Sequence, residues 1–262
     1  MRVQDATVSF VRKTASLAEM EVRKLKHDPT ELLTRVVQPV LWLLVFGEVM
    51  AKVRGIDTGN LTYMEFLTPG ILAQSVLFIA IFYGISVIWE RDLGIVHKFL
   101  ASPTPRSALV LGKALSAGVR GLSQALIIYL LAILIGVGLD LNVLPVLGVL
   151  LLIVLGAGVF STLSLVIACI VRTRERFMGI GQLLTMPLFF ASNALYPISM
   201  MPSWLQAIAA VNPLTYLVDA LRALMLPNYT AEFPLAVDFG ALVLATVVLV
   251  LIGARLYPRL AR

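Results

Sequence analysis

Three features of the sequence predict an all-α polytopic membrane protein with six transmembrane helices. Long apolar runs occupy residues 32–50, 67–89, 115–136, 143–170, 177–196 and 235–254. Crossing a bilayer's hydrocarbon core takes about 20 apolar residues of helix, which most of these runs supply. Their apolarity is continuous rather than alternating, which selects helices over the strands of a closed barrel. Finally, 17 of the 21 Lys and Arg residues fall in 1–35, 90–114, 171–176 and 255–262, the segments that an even number of spans places on one side. By the positive-inside rule that side is cytoplasmic and holds both termini. The net charge of +6 therefore reads as an orientation signal, and no nucleic-acid partner is expected.

The chain has 262 residues, 59% of them hydrophobic and 14% charged. No loop between the spans can hold a soluble domain, so residues 1–262 form a single membrane domain. Cys169 is the one cysteine, which excludes an internal disulfide and offers no cluster for a metal.

Residues 9–27 predict an amphipathic helix lying on the cytoplasmic membrane surface. At 3.6 residues per turn, Phe10, Val11, Leu17, Ala18, Val22 and Leu25 share one face, and Arg12, Glu19, Arg23, Lys26 and His27 another. Such a helix sinks its apolar face at the headgroups and offers cations to anionic lipid. The segment has no apolar run like that of a signal peptide. Asp28 and Pro29 then suit the cap and first position of the next helix. The first span has the weakest pattern, because Arg35, Gln38, Pro39 and Glu48 interrupt it.

The second span opens at Thr68-Pro69-Gly70 and closes at Trp89, an indole suited to the interface. Residues 90–101 then predict a short cytoplasmic helix. Acids at its start and His97-Lys98 near its end both match the helix dipole, and Pro103 and Pro105 stop it. In the third span Lys113 and Arg120 lie seven residues apart on one face. An arginine at mid-bilayer costs about 2.5–3.5 kcal/mol. Arg120 therefore either snorkels to the cytoplasmic interface or faces a cavity and touches substrate.

In the fourth run Gly148, Gly156, Gly158 and Ser161 permit close helix approach. The outer segment 197–232 is too apolar for a solvated connector. Met201–Ile208 and Asn212–Leu224 predict two short helices, the second capped by Asn212 with Pro213 at its first position. Leu214, Leu217, Leu221 and Leu224 share one face, and Thr215, Asp219 and Arg222 another. Neither piece can span, so a re-entrant or interfacial helical hairpin is expected.

These features together resemble the permease subunit of a type 2 ATP-binding-cassette exporter. The resemblance rests on the amphipathic start leading into Asp28-Pro29, on Glu90-Arg91-Asp92-x-Gly94 with Ser102-Pro103-x-x-Arg106, and on Asn212-Pro213-Leu214-Thr215-Tyr216 with Arg222. It is nearest to the daunorubicin-type drug-resistance and lipo-oligosaccharide branches, with Ile95 standing where many relatives carry Thr. The resemblance implies a prokaryotic inner-membrane protein that pairs with a second copy and with two separate ATPase subunits. It further implies that residues 90–101 seat in the ATPase, with Glu90, Arg91, Asp92, Gly94, Phe99 and Leu100 as linkage and Arg23 and Lys24 close by.

The chain's own chemistry fits that division of labour. ATP hydrolysis needs a phosphate cradle and a magnesium-holding acid. The sequence has no Gly-x-x-x-x-Gly-Lys-[Ser/Thr] loop, and Gly112-Lys113-Ala114 lacks the first glycine and the hydroxyl. Hence no cofactor is expected on this chain, with ATP and Mg on the partner ATPase. Nor is there a nucleophile with an evident base, or the Glu-Ala-Ala-type loop that importer permeases tend to carry, so export without catalytic residues is the expectation. Gln74, Gln124 and Asn193 with Phe78, Phe82 and Tyr83 form a candidate path for an amphipathic drug, lipid or glycolipid. An ion-coupled secondary carrier is the alternative. It would want mid-span acids, whereas Glu48 and Asp238 sit near outer ends and read as interfacial.

Overall fold

A computed structural model describes residues 36–52, 58–96, 106–171, 173–227 and 229–258. Every regular element among the described residues is helical. The expected surface helix 9–27 lies outside them, as do Arg23, Lys24, Phe99 and Leu100.

Helix α1, Val36–Ala51, contains a wide seven-residue turn from Leu41 to Gly47. Leu43 and Gly47 face inward there, and a Cβ on Gly47 would lie 2.5 Å from Met64 Sδ. The missing side chain lets α1 lie against α2, Tyr63–Tyr83. The α2 helix starts earlier than its Pro69 suggested. Thr62 Oγ1 accepts from the Glu65 N–H (3.3 Å), while Glu65 Oε2 accepts from the Thr62 N–H (2.8 Å). This reciprocal cap fixes the helix start, and Pro69 is tolerated close behind it.

Gly84 separates α2 from α3, Ile85–Asp92. The space a side chain there would fill holds the Ser164 hydroxyl, which donates to the Ile81 carbonyl, and the edge of the Phe177 ring. Glu90, Arg91 and Asp92 thus close a helix running on from the second span, where the sequence suggested they open a separate one. The chain turns after them at Gly94, whose φ of +70° is left-handed and free of penalty only for glycine.

Helices α4, Arg106–Leu134, and α5, Val143–Ile170, cross closely. Cβ atoms on Gly118 and Gly121 would lie 3.1 Å from Val154 and 3.0 Å from Ile153. Helix α5 is the hub, packed against α2, α4, α8 and α9. Helix α6, Arg174–Phe190, is capped by Thr173 and touches the rest only sparsely. After a single tight turn at Ile198–Met200 come α7, Ser203–Val211, and α8, Pro213–Met225, bent 81° apart. The last helix is α9, Leu235–Leu256.

Four of these segments are long and apolar enough to cross a membrane: Tyr63–Asp92, Leu109–Leu134, Val143–Ile170 and Leu235–Leu256, with a fifth if the bent α7–α8 pair counts as one. Described α1 and α6 are shorter. The core is a continuous apolar cluster that includes Leu67, Ile71, Val76, Ile153, Phe160 and Leu221.

Candidate functional site

Polar side chains collect at the two ends of this apolar bundle. At the end expected to face the cytoplasm, Lys113 Nζ of α4 meets Glu90 Oε1 of α3 at 2.6 Å. Arg174, at the start of α6, reaches Asp92 Oδ2 at 2.8 Å, and its guanidinium lies 3.7 Å from the centre of the Trp89 ring. Arg91 donates to the Val171 carbonyl at 3.2 Å and also contacts Asp92. Four helices are therefore linked through three consecutive residues, Glu90, Arg91 and Asp92. The Asp92 and Arg174 side chains are each 39% exposed, so water and salt screen this end.

The opposite end is dry. Arg222 of α8 is 1% exposed and donates to the Phe66 carbonyl at 3.0 Å and the Asn193 carbonyl at 2.6 Å. Its guanidinium stacks 3.6 Å from the Phe66 ring centre. Tyr63 donates to the Leu195 carbonyl at 3.1 Å. Asn212 donates to the Leu188 and Ala191 carbonyls at 2.7 and 3.1 Å while accepting from Leu214 N at 3.0 Å. Asn212, the cap of α8, thus takes up carbonyls at the end of α6, and Tyr63 and Arg222 take up carbonyls of the segment that follows it. A guanidinium also suits the negative end of the α6 dipole. Gly70 completes the contact, because a Cβ there would run into the Ala194 carbonyl.

Asp219, one turn before Arg222, is 0% exposed and faces the following loop. It accepts from Tyr229 Oη at 2.6 Å, Glu232 N at 3.1 Å and Phe233 N at 2.9 Å. Burial raises the Tyr229 phenol above its ordinary range, which keeps it a neutral donor to that carboxylate. Helix α8 therefore carries two buried charges, and Tyr229 lies against both: its phenol donates to Asp219, and its ring centre lies 5.7 Å from the Arg222 guanidinium.

The candidate path residues do not gather into one place. Gln74, Gln124 and Asn193 are almost wholly buried within the bundle. Phe78 and Phe82 are half-buried neighbours with ring centres 6.0 Å apart, beside α6, where Phe82 lies 3.5 Å from the Cβ position of Gly181. Tyr83 turns towards α4 and stacks under Arg120 at 4.8 Å. Asp238, in the first turn of α9, is 0% exposed, and neither carboxylate oxygen has a hydrogen-bond partner.

Sequence reasoning missed Tyr63, Phe66, Tyr229 and the Lys113–Glu90 pair. Lys113 was noticed only as a cation, although its place one helix away from an acid at the same membrane level was a usable signal.

The architecture is that of a multi-pass helical membrane protein, and comparison with known proteins gives its class. The ABC-2 type transporter family model matches residues 12–226. The chain belongs to that family. Among its relatives, transport permease ycf38 of Cyanophora paradoxa is 29% identical over 217 residues, covering 82% of this chain and 74% of the relative. The daunorubicin resistance ABC transporter permease protein DrrB1 of Streptomyces coeruleorubidus is 28% identical over 237 residues, 90% of this chain and 81% of the relative. The inner membrane transport permease YadH of Escherichia coli (strain K12) is 24% identical over 234 residues, 87% of each.

Proposed function

We propose that this chain is the membrane subunit of an ATP-driven exporter that moves an amphipathic drug, lipid or glycolipid out of the cytoplasm or inner leaflet. A separate ATPase binds ATP and Mg, and grips residues 90–101 and the basic surface helix 9–27. The chain crosses a prokaryotic cell membrane six times, with both termini cytoplasmic. On this reading α1 and α6 are the spans that need covering by a second copy to complete the membrane wall.

One observation carries the reading: the two outward faces of the bundle differ in chemistry. Helix α9 exposes Val243, Leu244, Val247, Val248 and Leu251, an aliphatic strip suited to lipid tails. Helix α6 exposes Met178, Leu183, Met186 and Phe190, with Gln182 among them. Beside it lie Phe78 and Phe82, and Trp42 of α1 meets Phe189 at 5.5 Å. Polarisable sulfur and aromatic surface with an exposed amide suits a partner copy and an amphipathic cargo better than bulk lipid. The relative named for daunorubicin resistance supports cargo of that kind.

Affinity purification from native membranes tests the reading. An ATPase is expected to accompany the chain, and the chain stripped of it to hydrolyse no ATP. Transport by the isolated chain, with no nucleotide present, would defeat it. The unpartnered buried Asp238 is the one feature favouring the ion-coupled alternative. Uptake into vesicles driven by a pH gradient alone, and abolished by Asp238→Asn, would establish that mechanism instead.

A further inference from the structure

We infer that Arg120 seats the anionic head of an amphiphile within the inner half of the bilayer. The ligand it selects is a lipid or glycolipid bearing a phosphate or carboxylate, in preference to a cationic drug. The inference deepens the export reading and rests on it only for the direction in which such a ligand travels.

The observation that carries it is where the guanidinium stops. It lies 4.8 Å from the centre of the Tyr83 ring, and the residue is half-buried. Tyr83 stands six residues before Trp89, about 9 Å of helix rise further in than that interfacial indole. Along α4, Arg120 lies seven residues, about 10 Å, beyond Lys113, the cation that pairs with Glu90. The arginine therefore turns sideways onto an aromatic ring and does not reach back to the level of Glu90 and Asp92. A charge held in hydrocarbon is costly and is kept where it faces a cavity or a pathway.

A polar seam leads to it. Lys113, Ser116, Arg120 and Gln124 follow one another at helical spacing along one face of α4, whereas Leu126, Leu130 and Ile133 turn outward. The seam begins beside Glu90 and closes at Gln124, which is 1% exposed. Arg120 stands between these points, at the edge where α4 packs on α2. Further in, that edge is apolar. Ile79, one turn before Tyr83, and Ile127, two turns after Arg120, are both half-buried there.

This arrangement selects the ligand. Stacking engages the flat face of a guanidinium, while its N–H donors point along the plane in a fork that matches phosphate or carboxylate oxygens. A free anion loses its water on reaching that depth. The tail of an amphiphile offsets the loss by lying on the apolar edge beyond. A cationic head would instead meet Arg120 and Lys113 as like charges.

The test uses the purified chain in lipid nanodiscs holding equal amounts of phosphatidylglycerol and phosphatidylcholine with the same tails. Native mass spectrometry of the released chain counts which lipid is retained. The parent is expected to favour phosphatidylglycerol by about tenfold, and Arg120→Gln to bring the ratio close to one. Arg176→Gln, which removes an exposed cation from α6, should lower the preference far less. An alkyl phosphate or alkyl carboxylate should displace the lipid, and an alkyl trimethylammonium of the same tail should not. If Arg120→Gln fails to accumulate, Arg120→Lys and Tyr83→Leu decide the matter, each expected to lower the ratio part of the way. An unchanged ratio in the accumulating variants overturns the seat, as does an equal drop in Arg176→Gln. Displacement by inorganic phosphate alone would make the site one for a free anion and overturn the amphiphile. Binding is read without nucleotide, so an intact preference in a chain that exports nothing would keep the seat and refute the export reading.

Discussion

The two ends of the bundle use the same kinds of charged residue and obtain opposite results from them. At the dry end a guanidinium and a carboxylate hold backbone groups inside a low-dielectric interior, where each bond is strong and each loss leaves an orphan. At the wet end Glu90, Asp92, Lys113 and Arg174 pair with one another, the Asp92–Arg174 contact screened by water and salt and the Glu90–Lys113 contact more sheltered. The first arrangement sets one geometry. The second can be traded for other contacts at lower cost, which suits the ATPase-docking role proposed for it.

The comparison breaks first at Asp219. Asp219→Ala leaves Tyr229 and two backbone donors without an acceptor, and a loss of about 3–5 kcal/mol is expected. Thermal unfolding in detergent should show the variant largely unfolded at temperatures where the parent is intact. A smaller effect is expected at Gly84→Val, where the added side chain meets Ser164 and Phe177. Overpacking of this sort costs about 1–3 kcal/mol and should lower the melting temperature without abolishing membrane insertion. At the wet end Glu90→Gln removes the partner of the largely sheltered Lys113, and a loss of about 1–2 kcal/mol is expected in stability. If the chain works with an ATPase as proposed, cargo stimulation of that ATPase should fall markedly in this variant, which separates coupling from folding. Smallest of all is Arg174→Lys, which keeps the charge near Asp92 and loses the flat stacking on Trp89. It should leave the melting temperature unchanged, and a shift as large as that of Gly84→Val would show the wet end to be more rigid than its exposure implies.

How much of this was legible in the sequence depended on the range of the signal. The limits of α5 coincide with the apolar run 143–170, and α8 starts where Asn212-Pro213 says it should, because both signals are local. The glycines of α5 were read as contact points, and Gly148 and Gly156 do receive Leu224 and Leu217 at 2.6 Å from their Cβ positions. The start of α2 was misplaced at Pro69, since a reciprocal Thr62–Glu65 cap outweighs a proline that follows it closely. Arg222 stood out as a cation in an apolar hairpin, yet its partners are backbone carbonyls 29 and 156 residues away, and no side-chain pattern records those. For Asp238 the sequence spoke only of position along the span, whereas its burial depends on which way the helix face turns.

The broad turn in α1 has a mechanical consequence. Each residue of an α-helix advances about 100° around its axis, so the turn from Leu41 to Gly47 holds roughly one residue of slack relative to regular winding. Rewinding it would spin everything before Leu41 by that angle while Leu43 and Gly47 kept their places near α2. A tug on the leading segment can therefore be taken up as torsion, and the corner around Arg222 feels only what remains.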